Sequence, residues 1–352
     1  MTSIRDRAVR TLPVLAIGAV LVAGCGAPEQ QAAKTSPNQL AQTLKKLLPQ
    51  GRSTELPETP GRQEKPSTST RLTFERNGMA GRVEVAATRL PVPVLPQNAR
   101  CPDSALHPYS KCTTKKFRGA TMMSDNSPVD DSRPTAARRL TTILTYPDGR
   151  QLAIAESNDP AALSKQDSAR QSPPLPLTRQ QLADIAGSAT WKPILAALPA
   201  PARRPAPDID QSLPASRITH LIADVLPRGV QVADRSGQPG YGHLTVDDGH
   251  GKCLIAVTVQ RWKPGDRTIG KIFGKARQLA DGTLLTTGTG PATNGGKGAI
   301  EWRADSLRTD GLRVLATEVN ARAYRLQGTR RTPVLSPAQL TGIVLSDAWS
   351  KS

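Results

Sequence analysis

"PLTRQQLADIAGSATW", residues 176–191, and "VLSPAQLTGIVLSDAW", residues 334–349, are one passage written twice. They align without gaps, Gln181 with Gln339, Leu182 with Leu340, Ile185 with Ile343, Ser188 with Ser346 and Trp191 with Trp349. Thr178 and Ser336 stand where a side-chain oxygen can accept from the exposed amides of a helix N-terminus. Pro337 suits the first helical position, where no N–H is needed. The recurring Leu, Ile and Trp then make one apolar stripe, so each copy predicts a short closing helix.

Working outward, two more blocks repeat in the same order. "DGRQLAIAESN" at 148–158 matches "DGLRVLATEVN" at 310–320, and "QLAQTLKKLLPQG" at 39–51 matches "RITHLIADVLPRG" at 217–229. The last pair predicts an opening helix with Leu40, Leu44, Leu47 and Leu48 on one stripe, kept as Ile218, Ile222, Val225 and Leu226. Pro49 and Pro227 stop it. Between the helices, "RLTFERNGMAGRVEVAATRL" predicts a hairpin turning at Asn77-Gly78, and "HLTVDDGHGKCLIAVTVQRW" its counterpart turning through Asp248-Gly249. "TTILTYPDGRQLAIAESN" predicts another, turning at Pro147-Asp148-Gly149.

Three matching blocks make the chain a tandem duplication. The expected fold class is α+β, with two related domains, each an antiparallel sheet whose N-terminal and C-terminal helices pack on one face. The expected boundaries are a leader at 1–24, a flexible tether at 25–37, a first domain at 38–195, a Pro/Ala-rich linker at 196–212 and a second domain at 213–352. The extended linker predicts semi-independent units.

The leader has its own logic. Arg5, Arg7 and Arg10 precede an apolar run from Leu12 to Val22, too short to span a bilayer and of the length of a secretory h-region. Leu21-Val22-Ala23-Gly24-Cys25 follows directly and resembles the lipobox of bacterial lipoproteins. That resemblance implies cleavage before Cys25, acylation of its thiol and attachment by a diacylglyceryl group, whose two chains suffice for stable anchoring. An ordinary signal peptide with an incidental cysteine is the alternative.

The formal net charge of the 352 residues is +18, which would draw a tethered protein toward anionic lipid or an anionic cell-wall polymer. Coding bias toward Arg is the competing explanation of that charge. Nucleic acid is disfavoured as a partner, since exported proteins rarely meet it and aromatic residues are only 3% of the chain. Of the four cysteines, Cys101 and Cys112 bound a Pro-containing loop, and outside the cytoplasm the pair is most simply a disulfide. Their separation does not match zinc-ligand spacing. Cys253, aligned with Val83, reads as a buried thiol on an apolar strand face.

Chemistry is sparse. His220 is expected to face solvent, His107 lies in the Cys-bounded loop, and His243 and His250 flank one hairpin without a third metal ligand. There is no G-x-S-x-G nucleophile elbow, P-loop or dinucleotide fingerprint. "GTGPATNGGKG" at 288–298 reads as a connecting loop. Asp103, Asp130 and Asp131 read as solvated turn residues. Glu156 and Glu318, matched between the copies beside Asn158 and Asn320, could orient a ligand but are expected on an exposed face. The sequence assigns no catalytic residue, metal ligand or cofactor.

With the lipobox and both "SPAQL"-type closing helices in view, the chain resembles the uncharacterised lipoproteins and secreted proteins common in actinobacteria. That resemblance implies a protein held on the outer face of the cell membrane and brings no particular activity with it. The expected role is non-catalytic binding or interaction. A secreted hydrolase, an accessory subunit of an envelope enzyme and a purely structural envelope protein are the alternatives.

Overall fold

The computed structural model describes residues 35–57, 67–130, 134–135, 137–158, 174–204 and 209–350. The leader, Cys25, most of the tether and Asp131 lie outside these residues. The described residues form an α+β fold with two antiparallel sheets of seven strands each.

The first unit opens with α1, Pro37–Leu47, whose N-cap Ser36 and Gln39 exchange hydrogen bonds in a capping box. Strands β1 (Arg52–Glu55), β2 (Ser67–Arg76) and β3 (Met79–Arg89) follow, with Asn77 and Gly78 at positive φ in the tight turn between β2 and β3. Next come β4 (Thr113–Phe117), β5 (Ala120–Pro128), β6 (Arg138–Thr145) and β7 (Arg150–Ser157). The unit closes with α2, Arg179–Ala186, capped by Thr178, and the short α3, Lys192–Ala196. The second unit runs α4 (Ala215–Asp224), β8 (Gln231–Gln238), β9 (Tyr241–Asp247), β10 (Cys253–Arg261), α5 (Arg267–Ile272), β11 (Arg277–Gln278), β12 (Leu284–Pro291), β13 (Ile300–Leu307) and β14 (Leu312–Val319). It ends with α6, Pro337–Leu345, capped by Ser336.

The sheet orders are β1-β2-β3-β7-β6-β5-β4 and β8-β9-β10-β14-β13-β12-β11, the same path traced twice. Details repeat with the path. Asp148 and Asp310 each accept from the backbone amide two residues on, at 3.1 and 3.0 Å. Gly149 and Gly311 follow at φ +88 and +86, where a Cβ would lie 2.4 Å from the Leu90 carbonyl and 2.1 Å from that of Trp262. Only glycine allows the chain leaving β3 or β10 to come that close to the turn ahead of β7 or β14.

Each unit buries its own core. Leu40 and Leu44 of α1 and Leu182 and Ile185 of α2 join Leu72, Phe74, Val83, Val85, Leu152 and Ile154 in one cluster. In the second unit Ile218, Ile222, Leu340 and Ile343 do the same with Leu244, Ile255, Val257 and Val314. Val225, expected on the α4 stripe, is 43% exposed because the helix has already ended at Asp224.

Cys253 is buried, but its register differs from expectation. Val83 pairs across the ladder with Glu156, and it is Ile255, not Cys253, that pairs with Glu318. Cys253 therefore takes the place of Gly81, two residues away on the same face. The first four residues of the 288–298 stretch, Gly288 to Pro291, are also strand rather than loop, since pairing with β13 from Ile300 to Arg303 overrides the low strand preference of their glycines.

The linker is bonded to both units. Val92 exchanges backbone bonds with Ala202 and Arg204 at 3.0 and 2.8 Å, and Asp210 exchanges two with Arg261 at 3.1 and 2.9 Å.

Candidate functional site

Cys101 and Cys112 are joined in a disulfide, S–S 2.05 Å, that closes the loop between β3 and β4. The loop is held to its own sheet by reciprocal backbone bonds between Lys111 and Asn126, and by the Ser110 hydroxyl donating to Asp125 at 2.5 Å. Its tip reaches the other unit. Asp103 lies 2.7 Å from His243 Nε2 through Oδ1 and 2.9 Å through Oδ2, and the Tyr324 amide donates to the Ala105 carbonyl at 2.9 Å.

His243 is 1% exposed. The neighbouring Leu244 and Val246 of β9 enter the apolar core, so alternation places Tyr241, His243 and Thr245 on the opposite face of the second sheet. The register puts His243 beside Ala256 and Ala256 beside Thr317, and the Thr317 hydroxyl lies 3.2 Å from that of Tyr324. Farther along the same face Asp305 is fully buried and receives a two-pronged contact from Arg313, at 3.0 and 2.8 Å, and a third bond from Arg303.

Burial works against the Asp103 carboxylate, but its bond to His243, the charge of that ring, the Ala105 amide and Arg100 outweigh it and hold its pKa below the usual range. Burial pushes the Tyr241 phenol up, with Tyr324 and Asp103 adding to it. His243 Nδ1 and the Tyr241 hydroxyl are buried without a hydrogen-bond partner among the described residues. Chemically the Asp103–imidazole contact is a clamp between units. Asp103, expected as a solvated turn residue, is thus a partner of the one buried histidine. His250 is exposed and sits 3.5 Å from Asp248, so the two hairpin histidines do not converge. His220 faces solvent beside Asp224.

The repeated carboxylates also depart from expectation. Glu156 and Glu318 are both 0% exposed. Each reaches from the last strand of its unit to the segment ahead of the closing helix. Glu156 accepts from the Leu177 amide at 3.2 Å, and Glu318 from those of Val334 and Leu335 at 2.8 and 3.0 Å. Burial pushes their pKa values up, to about 8 and about 7. Asn158 and Asn320 accept from the Arg138 and Ile300 amides, each at 2.7 Å. The matched polar residues fasten the fold, because backbone amides at the core edge need acceptors. Burial likewise pushes the Cys253 thiol up to about 12, with Glu318 adding to it.

A cavity of about 590 Å³ lies where α2, the end of α1 and the β4–β5 hairpin meet. Leu47, Phe117, Met122 and Ile185 supply apolar walls, and Lys115 and Arg118 stand at it with Asp184. The Arg118 guanidinium sits over the Phe117 ring, 5.2 Å from its centroid. Among the described residues no group of His, Cys, Asp and Glu could hold a metal ion, and no helix is long and apolar enough to cross a membrane.

The duplication was visible in the sequence, but the clamp was not. His243 aligns with Arg71 of the first unit and Asp103 lies in a loop whose counterpart in the second unit lacks the cysteine pair, so no repeated pattern connects them. No family model matches the chain, and no curated protein matches it. Among solved structures, the di-domain ARO/CYC BexL from the BE-7585A biosynthetic pathway aligns with 81% of this chain and 81% of its own at 12% identity. Its TM-score of 0.15 carries no argument for fold or function.

Proposed function

We propose that this chain is an exported lipoprotein, anchored through acylated Cys25 on the outer face of the cell membrane, that serves as a non-catalytic binding and interaction protein. The observation that carries the reading is the lipobox-like Leu21–Cys25, set directly after the apolar run and its three arginines. The Cys101–Cys112 disulfide supports export, since such bonds persist outside the reducing cytoplasm. We take the two helices of each unit to cover one face of its sheet, which leaves the other face for loops and partners.

The cavity beside α2 is the proposed ligand site, taking an anionic envelope component such as lipid or wall polymer. Its apolar walls suit a hydrocarbon portion, and Lys115 and Arg118 suit an acidic head. The test is cosedimentation of purified Cys25→Ser chain with vesicles. Phosphatidylglycerol vesicles should bind it and phosphatidylcholine vesicles should not, and joint Lys115→Glu and Arg118→Glu substitution should abolish binding. Equal binding to both vesicle types would refute the ligand site. Fractionation of cells should find the wild type with membranes and Cys25→Ser in the medium. A secreted hydrolase or accessory subunit remains the second reading, favoured by the contact of the half-buried Asp103 carboxylate with the buried His243 imidazole. Turnover of ester substrates that is lost in His243→Gln would support it.

A further inference from the structure

The two units differ at one sheet edge. In the first, β5 is covered by β4 and the residues before it. Ser124 faces Thr113, and Asn126 exchanges both backbone bonds with Lys111, at 2.9 and 3.2 Å. In the second, β11 covers only Leu284 and Leu285 of β12. The repeat register equates Thr287 and Thr289 with Ser124 and Asn126.

The orientation of the free groups follows from the ladder. The Leu279 amide donates to the Thr283 carbonyl at 2.8 Å, so alternate residues from Thr283 present their backbone groups toward β11. That series continues through Leu285 to Thr287 and Thr289, whose amides and carbonyls point away from β13. Thr287, Gly288 and Thr289 are exposed, and Thr287 and Thr289 have no backbone partner on that side among the described residues. The chain that would cover them is diverted, because the residues before β11 turn into α5 and bury Phe273 instead. Natural edges are ordinarily blunted by charge, proline or a bulge. Here Thr287–Thr289 is neutral Thr and Gly, and a proline stands only at the strand's last residue, Pro291.

We infer that this edge is a strand-addition site for an extended, acid-flanked peptide of a partner protein. Its ends are basic, with Lys275 and Arg277 exposed at one and Lys297 at the other. A second copy pairing antiparallel would set these cations against their equivalents, whereas carboxylates flanking an extended peptide would complement them. The inference deepens the interaction role proposed above, and it stands apart from the anchor and the α2 cavity.

The test uses the full-length chain in detergent with the fluorescent peptide EETVTVTEE. Binding should slow hydrogen exchange at the Thr287 and Thr289 amides. KKTVTVTKK should bind more weakly, and Thr287→Pro should lower affinity about tenfold by removing an outward donor while sparing the β13 ladder. Exchange in the wild-type chain decides the matter if that variant fails to fold. Unchanged protection at both amides, or equal affinity of Thr287→Pro, would overturn the proposal. Protection that rises with protein concentration alone would make a second copy the occupant and overturn it too. Loss of vesicle binding by the Lys115 and Arg118 variants would leave this result unaffected.

Discussion

The Asp103 carboxylate and the His243 imidazole meet 2.7 Å apart across 140 residues of sequence, one from each unit of the duplication. The loop that carries Asp103 is closed by a disulfide, so its tip is presented rather than left to wander. This contact, the Ala105–Tyr324 backbone bond and the bonded linker ends hold together two bodies with separate cores.

Asp103→Ala should therefore loosen the pair of units. It leaves a buried imidazole without its acceptor, a loss of about 1–3 kcal/mol. Calorimetry should resolve a lowered transition, and small-angle scattering should report a larger radius of gyration. An unchanged melting profile would mean that the contact contributes nothing.

Reduction of Cys101–Cys112 should act through the same loop. In the chain-entropy account, closing so short a loop stabilises by about 3 kcal/mol. Denaturant unfolding with and without reductant measures that difference. Reduction should also reproduce the scattering change of Asp103→Ala.

Glu156 and Glu318 predict a pH dependence of stability. Their folded pKa values, about 8 and about 7, are raised above the ordinary 4.5. The folded state thus holds protons that the unfolded state has released, and the linked stability is fully present below pH about 4.5 and is lost as pH rises through 7 and 8. Glu156→Gln and Glu318→Gln should flatten the decline, seen as melting temperature against pH. A slope that survives both substitutions would assign it to other groups.

The closing tryptophans test the duplication itself. Trp191 Nε1 donates to the Ile185 carbonyl at 2.8 Å and Trp349 Nε1 to that of Ile343 at 2.6 Å. Trp191→Phe and Trp349→Phe should each remove one hydrogen bond and some buried volume, costing about 1–3 kcal/mol in chemical unfolding. A large cost in one unit and none in the other would contradict equivalent roles.

Legibility followed repetition and periodicity. Leu182 and Leu340, the Asp-Gly turns and the N-caps Thr178 and Ser336 could be read because each feature is local and each occurs twice. The burial of Glu156 and Glu318 could not, because alternation fixes a face of the strand but does not show that a following segment lays its amides across that face. Asp103 and His243 belong to a contact that exists in one copy only. The open edge at Thr287 and Thr289 was hidden by glycines that read as loop, and it emerges only from comparison with Ser124 and Asn126.

Mass spectrometry of the N-terminal peptide of protein purified from its membranes tests the central claim most directly. The account predicts a peptide that begins at Cys25 and carries a diacylglyceryl group. A peptide that begins at Met1 or elsewhere in the leader, with Cys25 unmodified, would contradict it.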